Sequence, residues 1–280
     1  MDSNILSKIK ILAFDLDGTL LNEHSLLSAE TKASLLRAVA SGFHVVIATG
    51  REYGTVPDYV TGFPGIRYAV TSNGARTIDL NTGASIYENL LTREAIESIM
   101  PWLIEDDVMK EIFFDGFVFA EAYCLNNLAR YGVSESGIKY REKTRTPCDG
   151  VLSLLLENAH RMENINLIFA DMQKRARYLR ELGEVEGISV VSSTAYNIEI
   201  GGATTSKGEA LRVLAESLGL GSESVMAFGD NTNDLRMLQA AAVGVAMGNA
   251  EPELKEAADW ITLPNTEDGV AFALNALLGI

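Results

Sequence analysis

The stretch KIKILAFDLDGTLL, residues 8–21, sets the reading of the whole chain. Residues 9–14 are a mostly apolar run of strand length, which predicts a buried strand. The run stops at two aspartates one residue apart, Asp15 and Asp17, followed by Gly18. Aspartate is a common turn residue, so a local turn is one explanation. Two carboxylates in one small pocket are another, and they require either a cation or a retained proton to offset their repulsion.

Outward from this stretch, apolar runs alternate with helical patterns. A helix is predicted over 28–41, with Leu35, Leu36 and Val39 on one face and Gly42 as its stop. Strands follow in FHVVIATG (43–50) and RYAVTSNG (67–74). Such alternation predicts an α/β fold with a Rossmann-like, doubly wound, mostly parallel sheet. The period-two pattern of RTIDLNTGASIYE (76–88) predicts a hairpin leading out of that sheet, turning at Asn81-Thr82-Gly83.

From about residue 89 the texture changes. KEIFFDGFVFAEAY (110–123) places an Asp-Gly turn between aromatic strands, the mark of an antiparallel hairpin. Helices are predicted over 93–104 and 171–182, with a strand at 164–169. After about residue 195 the α/β alternation returns with NIEI, a helix over 207–218, and the strands SVMAF and VGVAM. The predicted organisation is a core from 1–88 and 195–280, interrupted by an inserted α+β cap over 89–194.

Ligands in open parallel sheets bind beyond the carboxyl ends of the strands. Those ends read Asp15-Leu16-Asp17-Gly18, Thr49-Gly50-Arg51, Ser72-Asn73-Gly74 and Gly229-Asp230-Asn231. Each has a local reading as well: Thr49 and Glu52 have capping-box spacing, GDNTND can cap a helix, and Ser72-Asn73-Gly74 can be a plain turn. Lys207 decides between them. Ser206 and Glu209 form a capping box, so Lys207 falls in the first helical turn, where a cation opposes the helix dipole by roughly 0.3–1 kcal/mol. A solvated lysine tolerates that cost; an anion held jointly by ammonium and helix N-terminus explains it. Asp15, Asp17 and Asp230 are hard oxygen donors of the kind that suits Mg2+ with a substrate phosphate.

Composition limits the alternatives. The chain has 280 residues, 47% hydrophobic, enough for one large domain or two modest ones. A formal net charge of −15 argues against nucleic acid or an anionic membrane as partner. An anionic substrate then needs a local reversal of potential, which a metal ion and Lys207 would supply. Cys124 and Cys148 have no metal-ligand spacing and read as reduced thiols. The first residues lack a signal-peptide layout and no stretch has membrane-helix length, so the expected location is cytoplasmic. Oligomeric state is not legible.

The motifs DLDGTLL, VVIATGR, SNGA, TSKGEAL, GDNTNDLRML, VAMGNA and EDGVAFAL resemble, in order, those of the haloacid dehalogenase superfamily of phosphatases. The resemblance is to the Cof-type branch, whose cap is inserted between the second and third motifs. It implies that Asp15 is a nucleophile forming an aspartyl-phosphate and that Asp17 is the general acid, then base. It implies Mg2+ held by Asp15, the Asp17 backbone carbonyl and Asp230. Thr49, the Gly50 and Leu16 backbones, Lys207 and Asn233 would hold phosphoryl oxygens, with Asp234 orienting Lys207 or a metal-bound water. GGATTSKG lacks the proline often found before the family's lysine.

The expected substrate is a small phosphorylated metabolite: a sugar phosphate first, flavin mononucleotide (FMN) or pyridoxal phosphate next. Two other readings are a sugar phosphomutase and a non-catalytic phosphometabolite-binding or regulatory protein. Phe113, Phe114, Phe117 and Phe119 would serve the latter as a contact surface, or pack the cap core.

Overall fold

The computed structural model describes residues 3–280. In chain order the strands are β1 (Ile11–Phe14), β2 (His44–Ala48), β3 (Ile66–Thr71), β4 (Arg76–Asp79), β5 (Ala84–Glu88), β6 (Met109–Phe114) and β7 (Phe117–Glu121). They continue as β8 (Arg145–Cys148), β9 (Asn164–Ile168), β10 (Ile188–Val191), β11 (Asn197–Gly202), β12 (Val225–Gly229), β13 (Val243–Ala246) and β14 (Trp260–Ile261). They belong to two compact units. One comprises the described residues up to Gly50, with Pro57–Glu88 and Ser206–Ile280; the other is Arg51–Val56 with Asn89–Thr205.

The first unit is built on an eight-stranded sheet of order β14-β13-β12-β1-β2-β3-β4-β5. β14 through β3 run parallel, while β4 and β5 are antiparallel additions at the far edge. β1 and β12 are buried at every residue, as strands apolar on both faces require. Helix Ala29–Ala40 opens on Ser28, whose hydroxyl accepts from the Thr31 N–H, and it packs with helix Gly269–Leu278. Helix Lys207–Ser217 packs with helix Leu235–Ala240. From β1 the chain proceeds to β2 on one side, and its later strands begin on the other side with β12. That reversal of strand order is where open α/β sheets leave a crevice at their carboxyl ends.

The hairpin of β4 and β5 does not lead out of the sheet, as the sequence suggested, but extends it. Arg76 pairs with Glu88 through a guanidinium–carboxylate contact of 2.8 Å, and Arg67 reaches Asp79 at 2.9 Å. These charged pairs join β3 to β4 and β4 to β5, tying the hairpin into the margin of the sheet.

The second unit has a six-stranded sheet of order β10-β11-β9-β6-β7-β8. Asp115 and Gly116 both take positive φ, 53° and 88°, in the two-residue turn joining β6 to β7. One face carries Ile112, Phe114, Ile165, Leu167, Ile198 and Ile200 in a core with Ile96, Ile99, Leu103, Leu155 and Tyr178. Phe114 stacks on Phe119 within this packing, while Phe117 remains exposed. Cys124 and Cys148 are free thiols.

One further expectation is corrected here. NIEI belongs to β11, which pairs antiparallel with β9 and β10 in the second unit, rather than with the parallel sheet. Its strict alternation is the reason: Ile198 and Ile200 face the apolar core while Asn197 and Glu199 do not. A strand of the parallel sheet would be apolar on both sides.

Candidate active site

Asp15 and Asp230 follow directly from the neighbouring strands β1 and β12, so chain topology brings them together. The Asp15 N–H continues the ladder onto the Phe228 carbonyl at 3.0 Å. Asp15, Asp230 and Asp234 form a cluster in which one oxygen from each lies within 4.8 Å of the others. Lys207, the first residue of its helix, is fully buried. Its Nζ donates to Asp15 Oδ1 at 2.6 Å and to Asp234 Oδ1 at 2.6 Å. The solvated-lysine reading is therefore excluded, and the anions beside this helix N-terminus include two of the protein's own carboxylates.

Asp234 has both oxygens occupied. Oδ2 accepts from the N–H groups of Asp230 (3.0 Å) and Asn231 (3.1 Å), closing a capping box with Asn231. One side chain thus makes both contacts: the carboxylate that closes the capping box also turns its other oxygen to Lys207. Around Gly18, φ is +87°, and a Cβ there would lie 2.3 Å from Asp230 Oδ2, so only glycine fits. Thr19 Oγ1 next to it donates to Asp230 Oδ1 at 2.9 Å.

The electrostatics follow from three carboxylates around one amine. Burial alone would lower the Lys207 pKa, but Asp15 and Asp234 more than reverse this and hold it above the usual lysine range. Burial pushes the Asp15 carboxyl well up; Lys207 opposes, while Asp234 and Asp230 add to the rise. Asp230 is pushed up to about 7, by burial first and by Asp234 next. The ammonium stays charged, while crowding and burial disfavour the ionised form of Asp15 and Asp230, a penalty that a further cation would relieve. A cluster of oxygen donors alone fits a divalent cation of the Mg2+ kind. The carboxylate cluster differs from the expected set: it contains Asp234, whereas the Asp17 side chain is exposed and lies outside it.

The other expected residues lie in the same unit. Thr49 is buried at the end of β2, its N–H on the Val70 carbonyl at 2.9 Å. It starts no helix; Glu52 instead caps the short turn Tyr53–Thr55. Leu16 is buried beside Asp15. Asn233 Nδ2 donates to Asn73 Oδ1 at 3.0 Å, and a Cβ on Gly50 would lie 2.9 Å from that same oxygen. Asn73 is the residue the sequence undervalued. It is 4% exposed, its N–H meets the Thr49 carbonyl at 3.1 Å, and Ser72, Asn73 and Gly74 have successive φ of 49°, 57° and 103°. Two adjacent non-glycine residues in the left-handed region carry strain of a kind that persists where surrounding structure imposes it, often at functional sites. Arg51 falls in the other unit, where its guanidinium lies over the Tyr140 ring at 5.0 Å and donates to the Thr55 carbonyl.

Comparison with known proteins agrees with this geometry. The profile of the haloacid dehalogenase-like hydrolases matches residues 12–274. The chain belongs to that family. Among its relatives, the putative phosphatase YxeH of Bacillus subtilis is 31% identical over 274 residues, covering 96% of this chain and 98% of the relative. The 5-amino-6-(5-phospho-D-ribitylamino)uracil phosphatase YcsE of B. subtilis is 31% identical over 266 residues, covering 95% and 94%. The solved structure of a haloacid dehalogenase-like hydrolase from B. subtilis superimposes with a TM-score of 0.84 at 29% identity, covering 96% of this chain and all of that one. This haloacid dehalogenase-like hydrolase is a phosphatase, and phosphatases of the family generally use Mg2+. No helix among the described residues is long and apolar enough to cross a membrane.

Proposed function

We propose that this phosphatase hydrolyses monophosphate esters of small metabolites, sugar and polyol phosphates foremost, with Mg2+ and through a phosphorylated Asp15. The observation that carries the reading is the buried Lys207 ammonium, 2.6 Å from Asp15, with Asp230 in the same carboxylate cluster. Asp15, Asp230 and the Asp17 carbonyl would hold the ion. Bound there, Mg2+ would neutralise phosphoryl charge as the reaction proceeds.

The protein's own groups then divide the work. An Asp15 oxygen attacks phosphorus as the bond to the ester oxygen breaks, and Asp17 gives that oxygen its proton. Water next attacks phosphorus, Asp17 takes a proton from it, and the bond to Asp15 breaks to release inorganic phosphate. Lys207, Thr49, Asn233 and the backbones of Leu16 and Gly50 hold phosphoryl oxygens, supplying charge and position, which are most of what phosphoryl transfer needs. Asp234 keeps Lys207 aimed at the site.

Substrate choice is assigned to the inserted α+β segment, 89–194 in the sequence reading. The name of YcsE supports a polyol phosphate, since its substrate carries phosphate on a ribityl chain. The test is Mg2+-dependent phosphate release across a panel of sugar phosphates, ribityl phosphates, FMN and pyridoxal phosphate, beside an Asp15→Asn variant. Turnover of at least one polyol or sugar ester that the variant lacks is expected. Release no greater than the variant's on every substrate would end the proposal, and an isomerised sugar phosphate in place of free phosphate would mark a mutase.

A further inference from the structure

VAMGNA, residues 245–250, is one of the family-like motifs, yet none of its residues has a part in the chemistry above. Its segment nevertheless touches both acidic loops. Glu251 N–H donates to the Asp230 carbonyl at 2.9 Å, and Met247 N–H to the Gly229 carbonyl at 3.0 Å. Asn249 Nδ2, between them in sequence, donates to the Gly18 carbonyl at 2.8 Å. The orientation of that carboxamide is determined, because its Oδ1 accepts the Asn265 N–H at 2.9 Å. A flipped amide would set oxygen against the Gly18 carbonyl and NH2 against the Asn265 N–H. Asn265 Nδ2 in turn donates to the Leu21 carbonyl at 2.7 Å.

Two asparagines therefore hold the loop after Asp17 at its two ends, Gly18 and Leu21, and an isolated bridge pairs Asp17 with Leu21 across it. Gly18 is also the residue that lies against the Asp230 carboxylate, and Thr19 bonds to it. We infer that Asn249 is a positioning residue: with Glu251 N–H it fixes the Asp17–Thr19 loop against Asp230, and so sets the spacing of the Mg2+ donors on the two loops. Asn249 touches neither metal nor substrate. It acts through the Gly18 carbonyl. This rests on the metal assignment made under the proposed function.

The test is titration of Mg2+ alone into substrate-free protein by calorimetry, for wild type, Asn249→Ala and Asn249→Gln, with thermal unfolding in EDTA alongside. Loss of one hydrogen bond that orders the donor loop is expected to raise the Mg2+ dissociation constant about three- to tenfold in Asn249→Ala. Asn249→Gln keeps the chemistry but misplaces it by a methylene and should fall on the same side. The raised dissociation constant should appear with little change in the unfolding temperature in EDTA, so that the defect lies in metal binding and not in folding. A lowered unfolding temperature with an unchanged Mg2+ dissociation constant would reduce Asn249 to a structural residue and overturn the inference. Failure of the wild-type protein to bind Mg2+ would overturn the metal assignment first, and the positioning role with it.

Discussion

Replacing Lys207 by methionine removes the fully buried cation beside Asp15 and Asp234 while nearly preserving its volume. In the native protein the ammonium satisfies Asp15 Oδ1 and Asp234 Oδ1, each at 2.6 Å, and Asp234 has no exposed surface through which water could take over. Breaking a buried ion pair by removing one partner costs about 3–5 kcal/mol, because the remaining charge is left uncompensated. Here two carboxylates lose their partner at once, which puts the expected loss at the upper end of that range. The molecule has two tryptophans, Trp260 in the core unit and Trp102 in the other. In a Trp102→Phe background, Trp260 fluorescence reports core unfolding alone. Urea denaturation in EDTA should show Lys207→Met destabilised by about 4–5 kcal/mol. A second Asp234→Asn change should restore part of it, since it removes one of the stranded charges. Activity should fall at least a hundredfold even with Mg2+ at saturation, the usual cost of deleting a single preorganised charge stabiliser. A loss below about 1 kcal/mol together with a kcat within tenfold of wild type would mean that Asp15 and Asp234 do not depend on Lys207 for compensation, contrary to this expectation.

Other outcomes follow from the same physics. Burial raises the pKa of Glu111, but Arg145 and Arg141 outweigh it and bring the carboxyl down to about 2. A depressed folded pKa contributes stability above the unfolded value and loses it as pH falls through the folded one. The second unit should therefore lose about 3 kcal/mol between pH 4.5 and 2, at roughly 1.4 kcal/mol per pKa unit. Glu111→Gln should flatten that dependence while lowering stability at pH 7, both read by denaturation followed at Trp102. Asn73→Ala removes the acceptor that orients Asn233 and leaves the left-handed turn without its asparagine. A fall of about tenfold in kcat/KM, from one lost hydrogen bond in the site plus local loosening, is expected from steady-state kinetics with only a small shift in unfolding temperature.

The α/β core was legible because parallel strands buried on both faces are near-continuous apolar runs, and their polar endings stand out. DLDG, ATG and GD mark the ends of β1, β2 and β12; that the first and last lie side by side is given by the sheet order. Lys207 was legible for a different reason, as a cation placed where the helix dipole disfavours one. β11 was misassigned since NIEI is short and apolar enough to resemble the strands before and after it; its alternation was the available signal. The β4–β5 hairpin was recognised but not its attachment, which depends on antiparallel pairing of β4 with β3 and on contacts across it such as Arg67 with Asp79, remote from the turn. Asn73 and Asn249 lay beyond reach. Asparagine before or after glycine reads as a turn, and whether its amide also orders a second loop is decided by tertiary contacts between segments up to 231 residues apart.

In the proposed reaction Asp15 carries the phosphoryl group between substrate and water. Mixing the enzyme with a turned-over ester labelled in its phosphate, quenching in acid within one turnover and mapping the label tests it directly. The expected result is a base-labile label on the peptide containing Asp15, formed only with Mg2+ and missing from Asp15→Asn. Turnover at full rate with no labelled protein at any quench time, or label on a different residue, would contradict it.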